Sequence, residues 1–573
     1  MTVTALVDIE RGDVRSWRPA GLARRFARVS ALAIGAIAVS LPATAQAGGA
    51  PAFTSIAAAA NTGGAAMLTA VSCPGAGQCA AGGFFTDASR RHQAFVVSES
   101  LGQWGKTQEV ATLYNAGGDA SVNAINCSAV NSCVAVGFYT DASRHHQAFI
   151  VEETDGIWGS TQEVAALLNA GGDAVATSVS CAAPGSCVVG GRYVDANGAQ
   201  RAFIAEETGG HWNDAIEVAR ALNLGGDAVV TSISCAAVGS CAVVGQYAPR
   251  AHASQAFVVE ETTGVWNKPL EIAGSLNAGL DGTLSAVTCP SAANCVAGGS
   301  YVAATPGSRP YVVVETNGNW GTPITLGQTF LATSAIVTSV SCADAGDCAA
   351  GGEYTTHAGA TVAFVANETS GTWGHGQAIA QSTRSPSGAY SPVTQASVQA
   401  ISCPAAGQCE VGGQVQLTAT NAQAYVAVER QGTWGVAQTV AQVQNVGRDA
   451  LVLALSCAGA GDCVAGGRYT NRLNHYEAFV AAGFSFLPSQ LFVSALHGTV
   501  PPTGVAKLVL VGGGFTSRPS IRSGESGVTI AMVSVTPTRL VITLRATKNV
   551  PGRHVLTIVE AGQVPVRITY QQR

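Results

Sequence analysis

The chain has 573 residues, of which 47% are hydrophobic and only 11% charged, with 68 glycines. It is long enough for several domains or one large repeat array and too apolar for a disordered chain, and its glycine content suits short strands and tight turns rather than helices. Residues 1–47 carry six Arg against three acids and residues 484–573 nine Lys/Arg against two Glu; taken from totals of 30 basic and 35 acidic residues, this leaves 15 basic and 30 acidic residues in a body too acidic for a nucleic-acid partner.

From the N-terminus, Arg24, Arg25 and Arg28 precede an uncharged apolar run, Ala31 to Leu41, and Ala45-Gln46-Ala47 offers a small-residue cleavage site. Residues 1–47 are therefore expected to be a signal peptide. The apolar run falls short of the roughly 20 residues that span a membrane. Arg24-Arg25 leaves the choice between general and twin-arginine export open. The expected location is secreted, extracellular or at the cell surface, with no transmembrane segment after cleavage.

All sixteen cysteines then fall into eight C-x5-C pairs: Cys73/Cys79, Cys127/Cys133, Cys181/Cys187, Cys235/Cys241, Cys289/Cys295, Cys342/Cys348, Cys403/Cys409 and Cys457/Cys463. Successive first cysteines lie 54, 54, 54, 54, 53, 61 and 54 residues apart. A period near 50 repeated in this way indicates a propeller or a solenoid. An exported chain favours structural disulfides, each closing a hairpin loop, whereas zinc favours the tighter C-x2-4-C spacing, so no metal is expected.

Each repeat contains four strand-like runs. In the third, strand A is Ala176 to Ser180, strand B Val188 to Val194, strand C Ala202 to Glu207, and strand D runs from Trp212 to about Ala219. Four antiparallel strands make one propeller blade. The last repeat lacks a Trp-bearing strand D. The segment Ser55 to Gly64 aligns with Glu109 through Gly118, so the N-terminal stretch should supply the missing outer strand and close a ring. The expected fold class is all-β: an eight-bladed β-propeller over 48–483, a linker over 484–503 and a small β-sandwich over 504–573.

Other positions also recur. Three residues before each first cysteine stands Ala or Ser, followed by Val, Ile or Leu, a period-2 pattern. Four residues after each second cysteine stands a glycine, from Gly83 to Gly467, which suggests a bulge or a close backbone approach that makes room for a neighbouring ring. Seven repeats carry Glu-x-x-Gly-x-Trp, as in Glu153/Gly156/Trp158. This motif resembles the Asp-box of sialidase-type propellers, which also sits on a C–D turn, although both spacings differ; the resemblance implies a structural role for Glu and Trp. Beyond Phe484 come strand-like runs at Ala506–Val511, Gly527–Val535, Leu540–Ala546, His554–Val559 and Val564–Tyr570. The Lys507 to Phe515 run with Pro551-Gly552 resembles the IPT/TIG immunoglobulin-like family, which implies a spacer or binding module without catalytic residues.

No inner-strand run holds a charged residue, and neither HExxH nor GxSxG occurs, so no catalytic residue and no cofactor is expected. A glycosidase needs paired carboxylates at the channel mouth. The D–A loops recur as Asn-x-Gly-Gly-Asp, and the first two B–C loops read Asp87-Ala-Ser-Arg90-Arg91-His92 and Asp141-Ala-Ser-Arg144-His145-His146. Asp87, Arg90, Arg91, His92, Asp141, Arg144, His145 and His146 are the candidate ligand-binding residues, set against a reading as ordinary solvated turns. The expected function is a non-enzymatic binding or scaffold protein whose propeller face engages a glycan or protein, with an anionic cell-wall polymer as a further partner of the basic C-terminal domain. A carbohydrate-active hydrolase or lyase and a purely structural envelope protein are the alternatives.

Overall fold

The alternation of small and branched residues before each first cysteine places one face of that run against a neighbour and the other toward the backbone of the next repeat. In the computed structural model each such run is the innermost strand of an antiparallel sheet, and consecutive innermost strands pack on one another. The structure describes residues 51–573 except 224–225, 251–252, 278–279, 304–306, 328–331, 386–389, 485–491, 498–499, 501–502, 514–519, 524–527, 537–538, 548–551, 560–565 and 573. The expected signal peptide lies outside these residues.

The chain is all-β, built of repeated antiparallel propeller-type sheets. Among the described residues eight sheets follow in chain order through the repeats. The first consists of Ala66–Gly75, Gln78–Thr86, His92–Ser100 and an outer strand split into Gln103–Trp104 and Gln108–Glu109. The single strand D expected from the sequence is thus broken. Trp104 pairs with Glu99 and Gln108 with Val96, so three residues on the outer strand face two on its neighbour, which makes a bulge. The C–D turns are the expected Asp-Gly and Asn-Gly type: Asp155 and Gly156, like Asn317 and Gly318, all have positive φ.

The recurring glycine marks the expected bulge and close backbone approach, and what it approaches is a carbonyl oxygen. A Cβ at Gly83 would lie 2.0 Å from the carbonyl oxygen of Met67, and one at Gly191 2.0 Å from that of Val175. The inner strand bulges there, since Leu68 pairs with Gly83 and Ala70 with Gly82, leaving Thr69 unpaired. The extra residue works between sheets: Thr69 Oγ1 donates to Val122 O at 2.5 Å, Thr177 to Val230 O at 2.6 Å and Thr231 to Leu284 O at 2.7 Å.

A second series of inter-sheet bonds comes from the residue before each first cysteine. Ser72 Oγ accepts from Cys127 N, Asn126 Oδ1 from Cys181 N and Ser180 Oγ from Cys235 N, and Ser456 Oγ of the eighth sheet accepts from Cys73 N of the first at 3.0 Å. The array therefore closes on itself. The eighth sheet is Ala450–Gly459, Asp462–Thr470, Tyr476–Ala482 and the N-terminal strand Ala52–Ile56, with Ser55 opposite Phe479. The 61-residue spacing holds an added hairpin, Ser382–Arg384 with Tyr390–Pro392, which extends the outer edge of the seventh sheet.

All eight C-x5-C pairs are disulfides within their A–B hairpins: Cys73–Cys79, Cys127–Cys133, Cys181–Cys187, Cys235–Cys241, Cys289–Cys295, Cys342–Cys348, Cys403–Cys409 and Cys457–Cys463. The pairs close their A–B hairpins as expected, and the structure adds where the sulfurs lie. The cysteines lie on the paired strands, with Cys127 opposite Cys133, Cys181 opposite Cys187 and Cys235 opposite Cys241. The second cysteine of each pair points inward. Cys79, Cys133, Cys187, Cys241 and Cys409 are all buried, each within an apolar core that also takes side chains from a neighbouring sheet. These sulfurs therefore act as core packing as well as staples. Eight disulfides are consistent with an oxidising compartment. No helix among the described residues is long and apolar enough to cross a membrane.

At the C-terminus two antiparallel sheets share one core of Leu508, Leu510, Leu540, Ile542, Leu544, Leu556, Ile558 and Tyr570. One sheet is Phe492–His497, Gly504–Gly513, Arg539–Ala546 and Val528–Thr536; the other is Ser520–Ser523, Gly552–Val559 and Val566–Gln572. Phe492–His497 falls inside the stretch read as a linker.

Candidate ligand-binding rim

The B–C and D–A loops share one face, and backbone hydrogen bonds join them in series. Tyr476 N donates to Gly64 O, Gly63 N to Thr86 O, His92 N to Gly118 O and Gly117 N to Thr140 O. This chain of bonds runs from the B–C loop of the eighth sheet through the first to the second.

Asp87 and Asp141 organise their own loops. Asp87 Oδ1 accepts from Ser89 N at 2.8 Å and Arg91 N at 2.9 Å, and its Oδ2 from Gln93 Nε2 at 2.9 Å. Asp141 repeats the pattern with Ser143, His145 and Gln147. Partial burial pushes both carboxyls up, but these donors outweigh it and hold them below the usual carboxylate range. The turns leave Arg90 and Arg144 in the left-handed region, with φ of 61° and 68°, and Asn474 at 62° in the eighth sheet's loop.

With Asp87 and Asp141 committed, the exposed side chains among the candidate residues are basic. Arg90, Arg91, Arg144 and His145 are exposed, and His92 and His146 half-buried. His92 Nδ1 lies 2.9 Å from Asp119 Oδ1 and its ring packs 4.7 Å from Phe84; His146 packs likewise on Phe138, and its N–H donates to Asp173. The second glycine of Asn-x-Gly-Gly-Asp makes room for the basic side chain opposite. A Cβ at Gly118 would meet Arg91 at 2.9 Å, and at Gly172 would meet His145 at 2.6 Å.

Gly64 stands in the same relation to His475, which the sequence reading did not single out. Arg472 and His475 belong to the loop Asn471-Arg472-Leu473-Asn474-His475, where Asn471 Oδ1 accepts from Leu473 N and His475 N as the Asp does elsewhere. Arg448 is exposed on the preceding D–A loop. The signal was present, because Asn471 to Tyr476 aligns with Asp141 to His146 once the ring is closed. Beside it, Arg468 lies 4.2 Å over the Tyr476 ring and 3.5 Å from Asp449 Oδ2.

The Asn of the D–A loops is a seam residue rather than a solvated turn residue. Asn115 Nδ2 donates to His92 O and Gln93 Oε1, and Asn61 Nδ2 to Tyr476 O and Glu477 Oε2. Charge is absent from the eight inner strands except for Asp344 at a hairpin end. The grouping of Glu410 with Cys457 and Cys463 uses sulfurs already bonded to each other, which cannot act as thiolate ligands.

No protein-family model matches the chain, and no curated protein matches it in sequence. Among solved structures it is similar to a Hadza microbial sialidase (11% identity, 60% of this chain and 73% of that one, TM-score 0.33). It is also similar to an ulvan lyase from a new polysaccharide lyase family (10% identity, 62% and 90%, TM-score 0.36). A third is a subtype N11 neuraminidase-like protein from a flat-faced bat virus sample (11% identity, 77% and 96%, TM-score 0.34). At these scores the likenesses carry no argument about activity.

Proposed function

We propose that the chain is an extracellular, non-enzymatic binding protein. It is an eight-bladed propeller followed by an immunoglobulin-like sandwich, and its rim over blades eight, one and two holds an anionic glycan. The observation that carries this reading is the continuous, hydrogen-bonded rim on which Arg472, Arg90, Arg91 and Arg144 are exposed while Asp87 and Asp141 turn inward. Guanidinium groups on a rigid backbone suit carboxylate or sulfate groups repeated along a polymer. Uncharged inner strands supply no general acid or nucleophile at the axis. The basic C-terminal domain is a second cationic surface, suited to an anionic wall polymer.

The test is binding of the mature protein to sulfated, uronate-containing and neutral polysaccharides at low and high salt. Binding should favour the anionic polymers, weaken with salt, and fall at least about tenfold in R90A/R91A/R144A. Unchanged binding by that variant removes the rim as the site. Release of new reducing ends or unsaturated products from a bound polymer removes the non-enzymatic reading.

A further inference from the structure

The opposite face, where the A–B hairpins and C–D turns lie, has a repeated seam with departures. In five of the eight seams a residue from strand C of one sheet bridges to the next sheet, and in the other three that position is Val314, Val428 or Ala482. Ser98 Oγ accepts from Trp158 Nε1 at 2.9 Å and donates to Glu153 Oε1 at 2.5 Å. Asn367 does the same with its amide, accepting from Trp434 Nε1 and donating to Glu429 Oε1. Glu152, Glu206 and Glu260 accept from Trp212, Trp266 and Trp320. Between the fifth and sixth sheets the bridging position is Val314, which can do neither.

The seam opens there into a cleft of 540 Å³, within the usual size range of small-molecule sites. Its walls include Val314, Asn294, Thr316, Thr322, Ser370 and the half-buried indole of Trp373. Trp373 Nε1 and Glu368 Oε2, the donor and acceptor bridged at other seams, are both buried without a hydrogen-bond partner. Burial, joined by the charge of Asp347, raises the Glu368 carboxyl, and the Trp373 indole draws it part of the way back. Such orphaned groups cost stability unless something pairs with them.

We infer that this cleft binds a neutral sugar unit, one hydroxyl or acetamido group of which takes the place that Ser98 and Asn367 hold in their seams. The group must accept from an indole N–H and donate to a carboxylate at once, as a hydroxyl or amide does. No Lys, Arg or His is among the described residues that line the cleft, so it offers an anion no counter-charge, which separates this ligand from that of the rim. The indole offers a flat apolar wall to a sugar ring, and the hydroxyls of Thr316, Thr322 and Ser370 offer partners to the remaining ring hydroxyls.

The experiment is calorimetric titration of the full mature protein with glucose, galactose and N-acetylglucosamine, alongside V314N and W373F. V314N installs the amide bridge already present at Asn367, which pairs with Trp373 and Glu368 in place of a ligand. At least one sugar should bind the wild type, and both variants should weaken it at least about tenfold. V314N should melt no lower than wild type, and W373F stands as the second variant if V314N folds poorly. R90A/R91A/R144A, on the other face, should bind the sugar normally, so the rim and the cleft stand or fall separately. Equal binding by V314N and wild type, or no binding of any of the three sugars by the wild type, overturns the inference.

Discussion

Gly191 has no side chain because the carbonyl oxygen of Val175 stands 2.0 Å from where its Cβ would be, and the backbone at that point cannot move without releasing the Thr177 bond to Val230. Gly191→Ala should therefore cost about 3 kcal/mol, the upper end for an overpacked site, read as a drop in urea midpoint with an unchanged slope. A loss well under 1 kcal/mol would mean that the inner bulge yields easily. The glycine was visible in the sequence together with the expectation of a bulge or a close backbone approach, but the carbonyl it meets was not, because that partner lies on the paired strand. The cysteines show the same limit: their pairing was legible from spacing, whereas the burial of Cys79, Cys133, Cys187, Cys241 and Cys409 depends on the sheet that packs over them. The candidate binding residues divide likewise. The basic members are exposed as a loop sequence suggests, whereas Asp87 and Asp141 spend their lone pairs on neighbouring N–H groups, a local pattern that polarity alone does not separate from ligand contact.

At the scale of strands and seams, adjacent sheets bring carboxyl groups together. Burial, joined by the facing Glu152, pushes Glu207 up to about 7; burial with Glu206 pushes Glu261 up to about 7; and burial with Glu260, to which it is hydrogen-bonded, pushes Glu315 up to about 8. The folded protein thus keeps protons that the unfolded chain releases near pH 4.5. The stability they contribute is complete below that pH and is lost as the pH rises through 7 to 8. Denaturant unfolding should give a lower stability at pH 8.5 than at pH 6, and E207Q/E261Q/E315Q should flatten that slope. A wild-type stability that rises over this window would show that the seams stay hydrated enough for the carboxylates to ionise freely. The motif residues were legible as structural, and the Trp bonds bear this out for several seams. The pairing partner was hidden because it lies in the preceding repeat, 55 residues away for Glu152 and Glu207. Strand order within each sheet was legible from the cysteine and glycine spacing. The split of strand D was not, since one bulge residue leaves the hydrophobic pattern almost unchanged.

At the scale of the whole molecule, the ring depends on its first strand reaching its last sheet. Phe53 stacks 5.3 Å from Phe479 and meets Tyr469 edge-on at 5.5 Å, and Asn61 holds Tyr476 and Glu477 across the same seam. Without this strand, Tyr476–Ala482 becomes an open edge with its apolar side chains uncovered, a site for pairing with other chains. Deleting residues 51–61 should therefore lower the melting temperature, broaden the unfolding transition and shift the chain toward aggregates on size exclusion. A separate peptide of residues 51–61 added in excess should restore part of the lost stability by mass action. The inter-sheet bonds nearer the axis, such as Cys73 to Ser456, close the ring independently of that strand. If the truncated chain melted with the wild-type midpoint, those axial bonds would be sufficient and the outer strand would serve only to cover an edge. If it unfolds early, the contiguity of the eighth, first and second sheets, on which the basic rim depends, rests on the N-terminal strand, and loss of anionic-polymer binding should accompany loss of the strand even though Arg90, Arg91, Arg144 and Arg472 all remain.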